Sequence, residues 1–189
     1  MSGPNLTELK RELRADLRAR RASRAYDPDL ADGIMRHLAE LCMARGSKRV
    51  ACYLPFGDEP DTELFIDWAM DAGIDVLLPV SLESGELEWV VFTGETETGI
   101  FGFAEAVGER ADLCGVDLII APALAVDTEG NRLGKGKGYY DRAIAGVNIP
   151  VVAVVFEDEL LESVPVEDHD CPVQAVVTPE QLVVFAGLK

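Results

Sequence analysis

The chain has 189 residues, 34 acidic against 17 basic, for a formal net charge of −17, and 48% of it is hydrophobic. That length suits one domain, and the mixture supports a sizeable core and excludes an intrinsically disordered chain. The acidity excludes a non-specific nucleic-acid binder and an anionic-membrane binder, which both need a broad positive field, while leaving room for a local anion site.

Leu6, Leu9, Leu13 and Leu17 recur at three- and four-residue steps and predict an amphipathic helix, with Lys10, Arg14, Arg18 and Arg21 on a neighbouring stripe. A second helix is expected after Pro28, turning Leu30, Ile34, Leu38 and Leu41 inward and stopping at Gly46. Residues 49–55 are a short apolar run ended by proline. Asp61 and Thr62 then cap a helix that ends at Gly73. Residues 74–80 form another buried-strand run, and 87–92 follow the turn Glu83 to Glu86 as its hairpin partner. The Gly- and Glu-rich stretch 93–111, with Phe101 and Phe103 embedded, reads as a long loop, and such loops are often functional. Residues 116–124, 149–156 and 174–180 supply three more buried runs, with a short helix starting at Tyr139 between the first two. Continuously apolar strands alternating with helices predict an α/β fold. The expectation is a single three-layer α/β/α domain over 1–189 with a mostly parallel central sheet.

Cys42, Cys52, Cys114 and Cys171 make no CxxC pair, so a zinc ribbon or thiol redox motif is not expected. No apolar run approaches the roughly 18 residues of a membrane span. The N-terminus is polar and then basic without an apolar signal core, and the expected location is cytoplasmic. The acidic surface disfavours self-association and points to a monomer.

Asp127 to Arg142, DTEGNRLGKGKGYYDR, is the most informative stretch. Gly134, Gly136 and Gly138 alternate with Lys135 and Lys137 between a buried strand and a helix. Glycines there allow close backbone approach and positive φ. Amide N–H groups of the loop and helix start would form an anion site, to which the lysines and Arg132 add charge, as a polyphosphate requires. The pattern is neither a Walker A motif, since Gly138 follows Lys137, nor the G-x-G-x-x-G fingerprint. A solvated basic turn is the competing reading, opposed by the clustering of four cations within 132–142 and the immediate Tyr139-Tyr140-Asp141. Asp141 suits Mg²⁺ beside phosphates, and equally suits a first-turn helix carboxylate. Adjacent tyrosines on a helix cannot face the same way, so one of them is expected to line a pocket.

Residues 122–142, PALAVDTEGNRLGKGKGYYDR from Pro122 to Arg142, resemble the signature of the 5-formyltetrahydrofolate cyclo-ligase family, also called methenyltetrahydrofolate synthetases. Leu9 to Arg14 (LKRELR), Tyr53 to Glu63 (YLPFGDEPDTE), Leu78-Pro79 and Val164 to Asp170 (VPVEDHD) are similar to further family elements, in family order along nearly the whole chain. The resemblance implies an ATP-dependent ring closure of 5-formyltetrahydrofolate to 5,10-methenyltetrahydrofolate, with ADP and phosphate released. It implies that Lys10, Arg11 and Arg14 reach the ATP phosphates, and that the segment Arg132, Leu133, Gly134, Lys135, Gly136, Lys137, Gly138, Tyr139, Tyr140 forms the nucleotide loop. Lys135, Lys137 and Tyr140 would be catalytic, and Asp141 and Asp170 would hold Mg²⁺. Leu54, Glu59 and Phe101 would contact the folate, together with Lys135, Gly136, Lys137, Gly138 and Tyr139, and Glu59 would bond the pterin N–H donors. His169 takes no role. The stretch TGIFGFAEAVGE departs from the family pattern: Phe101 fills the aromatic position and Glu105 the polar one, but two prolines are missing. Another ATP-dependent ligase or kinase on a pterin-like substrate, or a folate or nucleotide sensor without turnover, are the alternatives.

The scarce cations are unevenly placed. Seven of the 17 lie within 10–24 and four within 132–142, whereas residues 50–131 hold only Arg110 against eighteen acids.

Overall fold

The first helix forms on the expected residues but turns an unexpected face inward. In the computed structural model, which describes residues 5–167, 170–185 and 187–188, the Asn5 side chain accepts the Thr7 N–H at 3.2 Å and starts α1 (Leu6–Ala22). Leu17 is fully buried but Leu6 is 43% exposed, and the other closed-off positions are Lys10 and Arg21. Two members of the cationic stripe, Lys10 and Arg21, are covered because carboxylates from later in the chain meet them. In α2 (Pro28–Arg45), Asp27 accepts the Asp29 N–H, and Gly46 ends the helix at φ +67°, as glycine at that position allows.

The short strand β1 (Arg49–Ala51) leads to α3 (Glu63–Asp71) and then β2 (Asp75–Ser81). Of the two expected caps on α3, Asp61 accepts the Glu63 N–H at 2.8 Å, whereas the Thr62 hydroxyl donates to the Tyr53 carbonyl at 2.7 Å. Thr62 therefore ties the helix start to the exit of β1.

The long loop expected over 93–111 is instead a ribbon. Strand β3 (Leu87–Thr98) turns and returns as β4 (Ala104–Ala111), antiparallel, with a register shift between Phe92 and Thr96. Its outer half carries Glu95, Thr96, Glu97 and Thr98 in solvent. Backbone pairing holds that half without an apolar alternation, so no side-chain pattern marks it as strand.

The remaining elements are β5 (Leu118–Pro122), β6 (Ala125–Asp127), β7 (Arg132–Leu133), α4 (Tyr139–Ile144), β8 (Val151–Val154), β9 (Leu160–Leu161), β10 (Ala175–Val177) and β11 (Leu182–Val184). The main sheet has eight strands in the order β11-β10-β8-β5-β1-β2-β3-β4, with its five central strands parallel and antiparallel partners at both ends. Successive strand residues go to opposite faces. Val50, Leu78 and Ile120 pack with Ile34, Leu38 and Phe65 of α2 and α3. Ala51, Leu77 and Ile119 pack with Ile144 of α4 on the other face. Burial on both faces is why these strands read as continuous apolar runs. The α/β layering and mostly parallel centre match the sequence expectation. A second sheet, β7-β6-β9, was not expected, and α1 packs on it through Leu17, Leu124 and Leu133. Among the described residues no helix is long and apolar enough to cross a membrane.

A buried ion pair anchors α1. Arg21 Nε lies 2.6 Å and Nη2 2.8 Å from the two Glu159 carboxylate oxygens, and Nη2 also donates to the Ala123 carbonyl at 2.6 Å. Both side chains are fully excluded from solvent. Removing one partner of such a pair leaves a buried charge uncompensated, which costs more than replacing both. Glu159→Ala is expected to lower unfolding stability by about 3–5 kcal/mol in urea titration. The double variant Arg21→Met/Glu159→Leu should lose less than that; a larger loss would show that shape, not charge, governs the contact.

Candidate active site

Parallel sheets place ligands beyond the carboxyl ends of their strands. Here a cavity of about 300 Å³ opens there, with Leu54 after β1, Pro79 of β2 and Pro122 at the end of β5 among its walls. The glycine-lysine loop 134–138 crosses it, contributing Gly134, Lys135, Lys137 and Gly138, followed by Tyr139, Tyr140 and Asp141. Gly136 and Gly138 have φ of +99° and +69°, conformations that side-chain-bearing residues rarely adopt, so the alternating glycines are a backbone requirement.

One wall is aromatic. Phe56 and Phe103 have ring centroids 4.5 Å apart, and Phe101 stacks on Phe103 at 6.2 Å. The β3–β4 ribbon delivers both ribbon phenylalanines, so the stretch lacking the two prolines still builds this wall. Glu105 is 5% exposed, and its Oε1 accepts the Ser81 N–H at 2.9 Å, tying the ribbon to β2. Gly99 leaves space for that carboxylate: a Cβ there would lie 2.0 Å from Glu105 Oε2.

The opposite wall is cationic. Lys135 Nζ lies 2.8 Å from Glu59 Oε1, and the other Glu59 oxygen accepts the Phe56 N–H at 2.8 Å. Glu59 thus aligns Lys135, with lone pairs left over for ring N–H donors. Lys137 Nζ sits 4.9 Å from the Phe101 ring centroid, a cation–π contact across the cavity mouth. Arg132 is buried, pairs with Asp141 and donates to the Pro122 carbonyl at 3.2 Å.

Tyr140 is the tyrosine that turns inward. Its ring meets Trp89 edge-on at 6.2 Å, and its hydroxyl is buried without a hydrogen-bond partner among the described residues. Burial holds its phenol well above the usual range, and the nearby Cys52 and Glu59 push the same way against a smaller opposing effect of Arg132. The group is therefore a protonated donor awaiting an acceptor. Tyr139 also lines the cavity, but its hydroxyl is engaged, donating to the Leu82 carbonyl at 3.4 Å. The buried Cys42 and Cys52 thiols are pushed up to about 11 and about 12 by desolvation, which leaves them unreactive.

The cations of α1 approach the same loop from outside. Arg14 Nε donates to the Gly134 carbonyl at 3.0 Å. Lys10 is held by Glu167 at 2.7 Å and Asp170 at 2.5 Å; burial opposes its charge, but these two hydrogen bonds outweigh it and raise its pKa above the usual value. Arg11 lies on the surface beside Glu8, and Leu133 is core, packed with Leu17, so its side chain does not face the cavity. His169 lies outside the described residues.

Of the residues expected in the site, Leu54, Glu59, Phe101, Arg132, Gly134, Lys135, Lys137, Gly138, Tyr139, Tyr140 and Asp141 converge on the cavity. Lys10, Arg11, Arg14, Leu133, Gly136 and Asp170 do not line it. Phe56, Phe103, Arg18 and Arg142 were missed. Phe56, directly after Pro55, and Phe103, two residues past Phe101, carried a signal in their aromatic type; the two arginines carried none beyond their charge.

The candidate Mg²⁺ ligands are engaged separately, Asp141 with Arg132 and Asp170 with Lys10. Among the described residues no group of three or more metal-ligating side chains forms. One or two carboxylates completed by phosphate oxygens and water is the usual Mg²⁺ arrangement, so the residues fit an ion that arrives with a nucleotide.

Comparison with known proteins agrees along the chain. Residues 6–179 match the sequence model of the 5-formyltetrahydrofolate cyclo-ligase family. A 5-formyltetrahydrofolate cyclo-ligase of Mycolicibacterium smegmatis is 36% identical over 154 residues, covering 72% of this chain and 76% of that protein. The mouse 5-formyltetrahydrofolate cyclo-ligase is 28% identical over 198 residues, covering 94% and 97%. The solution structure of Aquifex aeolicus 5,10-methenyltetrahydrofolate synthetase superposes with a TM-score of 0.83 at 31% identity, over 96% of this chain and 95% of that one. The loop, the cavity it crosses and these relatives agree: the chain belongs to the 5-formyltetrahydrofolate cyclo-ligase family.

Proposed function

We propose that this cavity is the site of an ATP-dependent ligase that closes 5-formyltetrahydrofolate to 5,10-methenyltetrahydrofolate, with the whole chain acting as one catalytic domain. The observation that carries the reading is the junction of two surfaces on one loop. Lys135 and Lys137 lie against Phe56 and Phe101 of the phenylalanine wall, and the glycine backbone between them would take the phosphates.

A formamide oxygen is a poor leaving group. In the proposed sequence it attacks the γ-phosphorus of ATP, and the bond to ADP breaks. Folate N10 then attacks the activated formyl carbon, the carbon–oxygen bond breaks, phosphate departs and N10 gives up its proton to the phosphate or solvent. Phosphoryl transfer of this kind depends on positioning and on neutralising charge. Lys135 and Lys137 would meet the transferring group. Lys10, Arg14 and Arg132 would neutralise the rest of the triphosphate, for which Lys10 exchanges its carboxylate partners for phosphate oxygens. Asp141 and Asp170 would hold Mg²⁺, which when bound supplies further charge neutralisation. Leu54, Glu59 and Phe101 would bound the folate. Tyr140, fixed in its protonated form, suits hydrogen-bond donation to the oxygen that becomes negative and does not suit a base role.

Mixing the protein with MgATP and 5-formyltetrahydrofolate should produce the near-ultraviolet absorbance of the methenyl product; ATP binding with no such absorbance under any divalent metal would sink the reading. Lys137→Ala should lower kcat/KM by about 10²–10³-fold, the scale of removing one transition-state charge partner. Because Lys137 is exposed, its melting temperature should not move. Tyr140→Phe separates function from packing. It should lower kcat by about 10- to 100-fold, while unfolding stability stays level or rises, since the hydroxyl removed has no partner in the fold.

A further inference from the structure

Loop 134–138 is held by three guanidinium groups, and the way they hold it decides where its amides point. Arg14 Nε donates to the Gly134 carbonyl at 3.0 Å, Arg18 Nη2 to the Lys135 carbonyl at 2.6 Å, and Arg142 Nη2 to the Lys137 carbonyl at 3.0 Å. The peptide bonds are trans, so the N–H of each following residue points opposite to the carbonyl before it. The N–H groups of Lys135, Gly136 and Gly138 therefore face away from the arginines. Among the described residues none of the three donates to a protein acceptor. Successive unpaired N–H groups of this kind, with glycine at positive φ, form an anion-binding concavity.

Two of these arginines come from places that let the rest of the fold control the loop. Arg18 sits one turn after Arg14 on α1, so consecutive turns of one helix grip consecutive carbonyls. Arg142 also donates through Nε to the Gly85 carbonyl at 3.1 Å, so a single guanidinium joins the β2–β3 turn to the loop. A Cβ at Gly138 would lie 2.8 Å from Arg142 Nη1, and one at Gly136 3.4 Å from the Arg14 guanidinium. The glycines thus provide clearance for the arginines as well as positive φ.

We propose that Arg18 and Arg142 are positioning residues for the triphosphate. They fix the loop carbonyls outward and so keep three amide donors aimed at phosphate, without themselves contacting it. The proposal rests on the reading of this loop as the nucleotide site.

The test is MgATP binding to the full chain by calorimetry, without folate, at low and at high salt. Arg18→Ala and Arg142→Ala should each weaken binding about tenfold, the scale of losing one hydrogen bond from a charged donor. The loss should persist at about 1 M KCl, where the screening length falls to about 3 Å and long-range attraction is removed. Arg18→Lys should restore most of the affinity. Arg142→Lys should restore only part, because one ammonium does not span both the Gly85 and the Lys137 carbonyls. Arg18 is exposed, so its variants keep the wild-type melting temperature and decide the matter if Arg142→Ala is destabilised. A loss that vanishes at high salt would reassign both residues to general electrostatic attraction and overturn the proposal. Wild-type affinity in Arg18→Ala would overturn it too, leaving the nucleotide site intact. A wild-type protein that does not bind MgATP would overturn both together.

Discussion

The site depends on where α1 lies, and the buried Arg21–Glu159 pair sets that position. Among the described residues, the helix contributes to neither core cluster of the main sheet. It rests on the small sheet β7-β6-β9, which offers Leu17 few large partners: Leu124, Leu133 and Val164. So little apolar area leaves orientation weakly determined, and a bidentate ion pair in a solvent-free pocket supplies the direction that packing does not. Arg21 also donates to the carbonyl of Ala123, the residue after β5, so the same side chain references α1 to the main sheet. From that anchor Lys10, Arg14 and Arg18 project at four-residue intervals towards the loop and the C-terminal acidic element.

The acidity of the chain has a consequence for how its cations are kept in place. A lysine or arginine in a strongly negative protein finds carboxylates easily, and free flexible cations would collapse onto whichever lies nearest. In the site each is directed. Lys135 is aligned by Glu59, Lys137 lies against Phe101, Arg132 is held by Asp141, and Lys10 is held by Glu167 and Asp170. Three arginines bond carbonyls instead, which directs the guanidinium while leaving its positive charge unneutralised. The net charge of −17 is compatible with an anion site because the positive groups are concentrated and oriented, not because they are numerous.

Much of the fold was legible in residue order. The five central strands announce themselves as apolar runs since both of their faces are covered, and α2 is bounded by Asp27 and Gly46, whose backbone and side-chain chemistry admits few alternatives. The β3–β4 ribbon was not legible. The outer residues of β3, Gly94 to Thr98, face solvent, and strand pairing there is a backbone property that leaves no periodic trace in side-chain type. The same reason hid Phe103 as a partner of Phe56: the two are brought to 4.5 Å only by the return of the ribbon over the end of β1. The burial of Lys10 and Arg21 was likewise hidden, because a charged residue on an amphipathic helix reads as solvated until its distant partner is placed.

Sequence alone determined the α/β class, the family, and the local chemistry of the loop, where Gly136 and Gly138 meet a backbone demand that no other residue satisfies as easily. These are properties of short stretches, carried by residue type and spacing. Tertiary structure alone decided which tyrosine of the pair turns inward and how the ribbon walls the cavity. It also decided that Arg18 and Arg142, unmarked in the chain, each hold a loop carbonyl. Arg18 meets the Lys135 carbonyl across 117 positions, and Arg142 ties the loop to Gly85 across 57; contacts at such separations depend on the packing of the intervening elements, which no local pattern encodes.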